Sequence, residues 1–179
     1  MKTDLVPYVE NLPRRDMRKV DTVVIHATEI PTLRDALKMA REITDKKAMD
    51  GICAHYYISR KGTLYRVVPD HRIANHRRGW NDRSIGIELV NRGRYPRWFH
   101  PEGQRFDQPY TESQYRTLDR LLRLLKKKYP RLRQCLPHSA LDRRRVLSTD
   151  GKTRVRRRID PGPLFDWSKI FRLDREKKA

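Results

Sequence analysis

A rigid turn near the C-terminal end of the chain, Asp160-Pro161-Gly162-Pro163, constrains the local fold more than any other stretch. Pro161 and Pro163 fix their own φ angles and have no N–H group, while Gly162 can adopt backbone angles that are closed to other residues. The backbone sets the direction of a carboxylate held just before such a turn, as a metal ligand requires. Asp160 is therefore a candidate metal ligand.

Two histidines complete a candidate metal site with Asp160. His26 falls near the C-terminal end of a predicted buried strand, and His138 follows a second, short strand. A single strand histidine is more often a satisfied core residue, so the prediction depends on the three residues together. Zinc binds imidazole and carboxylate in tetrahedral geometry, and a catalytic zinc leaves one position to water. The set predicts a Zn²⁺ site and a hydrolase.

The order of predicted elements indicates a mixed α/β fold, with a single central mixed β-sheet flanked by helices. Capping boxes at Thr32 and Thr111 open two predicted helices, and the first is expected to run to about Lys46. The polar stretch from Asp142 to Arg158 is predicted as a loop insertion. Strands are predicted over residues 21–28, 54–59, 63–68 and 84–90, the second and third as a hairpin.

The length of 179 residues fits one domain with a real core. We expect a monomer with an N-terminal extension over residues 1–20, a domain over 21–172 and a basic, mobile tail over 173–179. No stretch approaches a membrane span, and the N-terminus has no apolar h-region. This predicts a cytoplasmic protein, with another route to the periplasm or cell wall as the alternative. Cys53 and Cys135 are predicted to be free, buried thiols.

The formal net charge of +20 is extreme for a single domain. Such a field attracts polyanions such as nucleic acid, anionic membranes or bacterial envelope polymers. The basic residues are spread along the chain, which indicates a generally cationic body. A basic nucleic-acid-binding protein is an alternative function, but it depends on charge alone, because no zinc knuckle, glycine-rich phosphate loop or RNA-binding aromatic signature accompanies the charge.

Five short motifs occur in order between about residues 21 and 167. They are Val24-Ile25-His26-Ala27-Thr28, Ala54-His55-Tyr56, Ser84-Ile85-Gly86-Ile87-Glu88-Leu89, Pro137-His138-Ser139 and Asp160-Pro161-Gly162-Pro163. Together they resemble the type 2 N-acetylmuramoyl-L-alanine amidases, a superfamily that includes peptidoglycan recognition proteins and amidase-type phage lysozymes. The resemblance implies that fold. It also implies hydrolysis of the amide between the lactyl group of N-acetylmuramic acid and L-alanine of the stem peptide, with peptidoglycan or a muropeptide as partner.

The resemblance also assigns roles to four residues. His26, His138 and Asp160 match the zinc ligands of the family, and Glu88 matches the acidic residue proposed as general base or as the group that orients the attacking water. The sequence supports Glu88 independently, since a carboxylate on an apolar strand is costly to bury without a purpose. A solvent-facing strand residue is the alternative.

Arg158 stands two residues before the ligand aspartate, where members of the family commonly have lysine. Arginine can stabilise a developing oxyanion and does not easily lose its proton, so we predict a catalytic role for Arg158. The alternative is that Arg158 is one more member of a basic run.

Three further residues are predicted to contact or support the substrate. The family often has a Trp-His pair before the strand that bears the glutamate, and here the pair is Asn75-His76. His76 is expected to contact substrate, and Trp80 to replace the missing aromatic wall. His55 is expected beside the site, as a supporting residue more than a ligand.

Two other features bear on the kind of amidase implied. An aspartate as third ligand, rather than cysteine, favours the bacterial branch of the superfamily. The Asp142–Arg157 connection is longer than in familiar members and is expected to cover or widen the cleft. A non-catalytic peptidoglycan-binding module on the same fold is the alternative function. Soluble muropeptide and intact cell wall both stay open as substrates.

Overall fold

The computed structural model describes residues 1–173, and its centre is a six-stranded mixed sheet, as the sequence predicts. The strand order is β1-β4-β3-β5-β2-β6, and only the β3–β4 hairpin is antiparallel among the paired strands of this sheet. The strands are β1 (Lys2–Thr3), β2 (Thr22–Ala27), β3 (Tyr56–Ile58), β4 (Leu64–Arg66), β5 (Ser84–Leu89) and β6 (Gln134–Pro137). The helices are α1 (Leu33–Ala40), α2 (Glu112–Lys128) and α3 (His138–Leu141).

Strand β2 is buried along its whole length because it lies between β5 and β6. Strands covered on both faces read as continuous apolar runs, and Val23, Val24 and Ile25 are completely buried. Both neighbours of β2 are parallel to it, so the C-terminal ends of the three strands meet at one edge of the sheet. Residues that follow or end these strands are therefore brought together.

Helix α2 covers one face of the sheet and begins where the capping box predicts. The Thr111 side chain accepts from the Gln114 N–H, and the Gln114 side chain accepts in return from the Thr111 N–H. The buried amide of Gln114 also donates to Val90 O, 2.9 Å away, which ties the start of the helix to the end of β5. Apolar residues at helical spacing line the inner face: Tyr115, Leu118, Leu121, Leu122 and Leu125.

Helix α1 ends at Ala40, about two turns earlier than the predicted end at Lys46. The Tyr8 hydroxyl donates to Ala40 O, and the N–H groups of Thr44 and Asp45 donate to Asp50 O. These contacts turn the chain away from the helix axis. Ile43, which would continue the apolar spacing of the helix, is consequently 42% exposed.

The stretch predicted as a loop insertion contains a β-hairpin, so that prediction is wrong. Strand β7 (Arg145–Leu147) pairs antiparallel with β8 (Arg154–Arg156). The inward residues Val146 and Val155 are flanked by charged residues, which hides the alternation expected of a strand. The Thr149 N–H donates to Phe99 O and holds the hairpin against the loop after β5.

Residues 1–20, predicted as an extension, pack onto the sheet. Strand β1 pairs with β4, and Val6, Tyr8 and Leu12 are buried in a core cluster with α1. Arg15 reaches further inward and donates to the carbonyls of Asp70 and Ser84 at 2.6 Å each.

The predicted mobile tail, residues 173–179, lies outside the described residues except for Leu173, which is buried. Cys53 and Cys135 are free, and the first is buried while the second is half-buried. Within residues 1–173, no helix combines the length and apolar character needed to cross a bilayer.

Candidate metal centre and active-site cleft

His26, His138 and Asp160 meet at the C-terminal edge of the sheet. His26 is the fifth residue of β2, and His138 opens α3 immediately after β6. Their Nδ1 atoms are 3.0 Å apart, and Asp160 Oδ2 lies 3.2 Å from Nδ1 of His26 and 3.1 Å from Nδ1 of His138. The three residues are buried, and their candidate ligand atoms form a nearly equilateral triangle.

Local contacts hold Asp160 in this triangle. The Ser139 N–H donates to Asp160 O at 3.0 Å, and the Tyr110 hydroxyl donates to Pro161 O at 2.7 Å. Gly162 has φ +87°, and a Cβ atom there would lie 2.5 Å from the Phe106 ring. Both the backbone angle and the close packing therefore require glycine in the turn.

The charges in the cluster suit metal ligation. Burial, and then the adjacent His138, lower the pKa of His26 to about 4, so its imidazole is neutral at physiological pH. Burial would raise the pKa of Asp160, but His138 and His26 outweigh it and hold that pKa well below its ordinary value. The cluster thus presents a lone pair on the neutral imidazole of His26 together with the carboxylate of Asp160.

The triangle fits a zinc ion. With Zn–N and Zn–O bonds of about 2.0–2.1 Å, two tetrahedral ligand atoms are about 3.3 Å apart, close to the separations in the cluster. Asp160 Oδ1 is buried without a hydrogen-bond partner among residues 1–173, as expected of a carboxylate made for a cation. Three protein ligands leave a fourth position open, which is the pattern of catalytic zinc sites.

Glu88 lies beside the triangle and lines the same cavity as its three residues. It lies opposite His26 in the β2–β5 register, and its Oε1 is 4.0 Å from His26 Nδ1. Its side chain is only 17% exposed and its Oε2 is buried without a hydrogen-bond partner in the described chain. Burial, and then the negative charge of Asp160, raise the pKa of Glu88 well above its ordinary value. Glu88 is therefore a cavity residue rather than a solvent-facing strand residue.

Arg158 lines the same cavity from the segment that leads to Asp160. Its Nε is buried without a hydrogen-bond partner among residues 1–173. The positive charge of Arg158 opposes the rise in the pKa of Glu88. An unpaired guanidinium beside the candidate metal position agrees with the predicted catalytic role.

His76 is buried directly behind His26. Its Nδ1 lies 3.0 Å from His26 Nε2, its Nε2 lies 3.2 Å from Ser84 Oγ, and the Ser84 hydroxyl donates to Trp80 O at 2.6 Å. Because the Ser84 hydroxyl donates to Trp80 O, Ser84 Oγ accepts from His76 Nε2–H, and His76 Nδ1 is left as an acceptor. His26 Nε2–H then donates to His76 Nδ1, which leaves the free lone pair of His26 on its Nδ1. A Cβ at Gly86 would lie 2.5 Å from the His76 ring, so glycine makes room for this histidine.

The other two predicted substrate residues lie away from the cluster. His55 is fully buried, its Nδ1 accepts from the Gly86 N–H at 3.0 Å, and its Nε2 lies 3.2 Å from Arg72 O. Substrate contact by His55 would require the ring to leave these partners. Trp80 does not line the cavity around His26 and instead stacks against the Arg83 guanidinium, 5.2 Å from the ring centroid.

The candidate ligand residues His26, His138 and Asp160, called the metal cluster below, line a cavity of about 530 Å³. This cavity is called the metal cavity. Its aromatic wall is formed by Trp98 and Phe99 from the loop after β5, and its rim carries Met39 and Ile52, which are 53% and 63% exposed. Aromatic residues at a mostly apolar cleft are typical of ligand sites.

Comparison with known proteins decides the family. Residues 16–163 match the sequence model of a family described as N-acetylmuramoyl-L-alanine amidase. The chain belongs to this family. A curated relative is the 1,6-anhydro-N-acetylmuramyl-L-alanine amidase AmpD of Haemophilus influenzae, 31% identical over 130 residues, which are 67% of this chain and 57% of the relative. The chain thus spans a little over half the length of that relative.

Solved structures show the same amidase fold. The N-acetylmuramoyl-L-alanine amidase LysC from Clostridium intestinale matches with a TM-score of 0.59 and 23% identity, over 95% of each chain. The amidase AmiD from Escherichia coli, in complex with the substrate anhydro-N-acetylmuramic acid-L-Ala-D-gamma-Glu-L-Lys, matches with a TM-score of 0.59 and 24% identity, over 84% of this chain and 56% of the relative. The mixed α/β amidase fold predicted from the sequence is confirmed.

Sequence reasoning missed the residues that shape the amidase cleft outside the ligand motifs. Trp98, Phe99 and Ile52 lie in irregular loops, where no periodicity assigns a side chain to a face. The only available signal was the aromatic and proline content of residues 92–110, which marks a long loop without saying where it folds.

Proposed function

We propose that this protein is a zinc-dependent N-acetylmuramoyl-L-alanine amidase. It hydrolyses the amide between the lactyl group of N-acetylmuramic acid and L-alanine of the stem peptide. The observation that carries the proposal is the buried triangle of His26, His138 and Asp160, with Glu88 Oε1 4.0 Å from His26 Nδ1. Membership of the amidase family supports the reaction class.

His26 Nδ1, His138 Nδ1 and Asp160 Oδ2 would hold the zinc ion. When bound there, zinc supplies a Lewis acid that polarises the scissile carbonyl and makes water nucleophilic at neutral pH. The neutral state of His26 and the ionised state of Asp160 favour this ligand set. His76 holds His26 in the tautomer that leaves Nδ1 free.

Glu88 moves the protons of the reaction. Its carboxylate accepts a proton from the attacking water and then passes it to the nitrogen of L-alanine, which leaves as the amine while the lactyl group becomes a carboxylic acid. Burial in the cavity keeps Glu88 close to the reacting groups and removes competing solvent partners. Arg158, whose Nε has no protein partner in the described chain, stabilises negative charge that develops on the carbonyl oxygen.

Cleavage of a defined muropeptide tests this function. Protein purified with a measured zinc content is incubated with an N-acetylmuramoyl tripeptide, and the products are identified by mass spectrometry. Release of the intact peptide with a free L-alanine amine, lost on chelation and restored by zinc, is the expected result. Zinc bound at one equivalent without any cleavage would instead favour a non-catalytic peptidoglycan-binding module.

The physiological form of the substrate is tested by the same assay on purified sacculi. The cationic body, with a formal net charge of +20, favours polymers that carry carboxylates and phosphates. Comparable turnover per accessible bond on sacculi and on soluble muropeptide would show that polymer attraction has no part in substrate choice.

A further inference from the structure

A second cavity of about 500 Å³ adjoins the metal cavity. The two share Ile52, His76, His138, Arg157 and Arg158 in their walls. The metal cluster therefore lies where the two cavities meet, and a substrate bound there has room to extend into either cavity.

The second cavity differs sharply in chemistry from the first. Trp98, Phe99 and Met39 line only the metal cavity. The adjoining cavity has a wall of guanidinium groups, which we name the arginine lobe. It consists of Arg77, Arg78, Arg144, Arg157 and Arg158.

Part of the charge of the arginine lobe is neutralised within the protein. Asp142, with a side chain that is 1% exposed, accepts from Arg144 Nη2 and Arg157 Nη1 at 2.7 Å each. Hydrogen bonding from Arg144 outweighs the effect of burial and, with Arg157, holds the pKa of Asp142 well below its ordinary value. Two more carboxylates, Asp45 and Asp50, line the cavity, so the five arginines face three acids.

Arg77, Arg78 and Arg158 are the members of the lobe that have no carboxylate partner among residues 1–173, and only the first two line the second cavity alone. Arg77 donates to the carbonyls of Arg78 and Leu141, and its Nε is buried with no partner within residues 1–173. Neither Arg77 nor Arg78 forms an ion pair with any described residue. A cavity wall with buried, unused guanidinium donors suits an anionic ligand group.

We propose that the arginine lobe binds the free α-carboxylate of the second stem-peptide residue, so that this amidase prefers an acidic residue there over its amide. The inference rests on the proposed function. In a stem of the form L-Ala-D-γ-Glu, the γ-linkage leaves the α-carboxylate free, one residue beyond the scissile bond. A single residue spans about 3.3–3.6 Å, so a stem that extends from the metal cluster into the second cavity brings this carboxylate to the arginine lobe.

Guanidinium groups discriminate between these two stems. A carboxylate accepts two parallel N–H bonds from arginine, and charge-assisted bonds of this kind are about twice as strong as neutral ones. A carboxamide has no charge, and its NH₂ group meets N–H donors. The carboxamide substrate is therefore attracted less strongly to the arginine lobe than the carboxylate, and it also leaves N–H donors of the lobe unpaired.

Two synthetic substrates test the proposal on the zinc-loaded protein. They are N-acetylmuramoyl-L-Ala-D-γ-Glu-L-Lys and the same molecule with the α-carboxylate of the glutamate converted to a carboxamide. We expect kcat/KM to be about tenfold higher for the acid, mostly through KM, because a contact made equally in ground and transition states changes binding rather than turnover. Arg78→Gln and Arg77→Gln should each reduce this ratio.

Arg120→Gln is the matched control, because Arg120 is exposed on α2, lines neither cavity and loses the same charge. It should keep the wild-type ratio and activity. Equal kcat/KM for the two substrates, or a ratio unchanged in both lobe variants that unfold like wild type, would overturn the proposal while the amidase function stands. Failure to cleave either substrate would remove the proposed function and, with it, this inference.

Discussion

Arg94 and Glu29 form a buried, bidentate ion pair beside the metal cluster, with Nε–Oε1 and Nη2–Oε2 distances of 2.6 and 2.7 Å. The Arg94 side chain is 0% exposed and its other donors are also used. They go to Gln104 Oε1 and to the carbonyls of Arg156 and Arg157 at 3.0–3.2 Å. All five N–H groups of the guanidinium therefore have partners.

This pair joins two of the three segments that carry the candidate metal ligands. Glu29 follows His26 by three residues, and the carbonyls of Arg156 and Arg157 precede Asp160 by four and three. The position of Asp160 relative to His26 thus depends on a guanidinium that touches neither.

Removing Arg94 should destabilise the fold strongly. Arg94→Ala leaves the Glu29 carboxylate buried without its partner, and breaking a buried pair in this way costs roughly 3–5 kcal/mol. Urea unfolding of wild type and variant measures the difference. Arg92→Ala is the control, because Arg92 pairs with Asp107 at the surface, where ion pairs contribute little. Similar losses of unfolding free energy in both variants would show that the buried pair of Arg94 stabilises the fold no more than a surface pair does.

Glu88→Gln should separate metal binding from turnover. The amide keeps the size of the side chain but cannot accept a proton, so we expect kcat to fall about 10²–10⁴-fold with one zinc still bound. Muropeptide cleavage and metal analysis of the same sample provide both measurements. Glu102→Gln, an exposed residue outside the metal cavity, should behave like wild type. A Glu88→Gln variant with full activity would contradict the proton-transfer role.

His76→Ala should weaken zinc binding by about 10–100-fold, the usual effect of losing the partner of a ligand histidine. The reason is that His26 Nε2 loses its acceptor 3.0 Å away, and its tautomer and ring orientation are no longer fixed. Competition with a chromophoric chelator measures zinc affinity without any substrate. His76→Asn, which can place an amide oxygen near the lost nitrogen, should recover part of the affinity. Unchanged zinc affinity in His76→Ala would contradict the role of His76 in orienting His26. The substrate contact predicted from the sequence would then be the remaining role for His76.

Gly162→Ala tests the packing of the turn that holds Asp160. The added methyl meets both an unfavourable φ of +87° and the Phe106 ring, whereas Gly151, at φ +70°, has nothing within 4 Å of the same position. Gly151→Ala therefore isolates the backbone effect. We expect Gly162→Ala to be less stable than Gly151→Ala by about 1–3 kcal/mol, the range for overpacking. Equal unfolding free energies would mean that Phe106 can move aside at little cost.

The sheet and the grouping of His26, His138 and Asp160 could be predicted from the sequence because both follow short-range rules. Strand β2 is a run of β-branched residues, and His26, Glu88 and Asp160 stand in motifs at the ends of elements. By contrast, Glu29 and Arg94 are 65 residues apart and lie in loops, so nothing local marks them as partners. Charge misled the interpretation at the β7–β8 hairpin, where seven arginines between residues 143 and 158 flank the two inward valines.

The core that supports the site extends beyond the stretch shared with the family on both sides. The family match covers residues 16–163, but β1, Tyr8, Leu12 and Arg15 precede it, and Phe165 and Ile170 follow it in the main core cluster. A polypeptide trimmed to the matched residues would keep every proposed ligand and lose an edge strand and buried side chains at both ends. The boundary of the shared chemistry and the boundary of the packed core are therefore different in this member of the family.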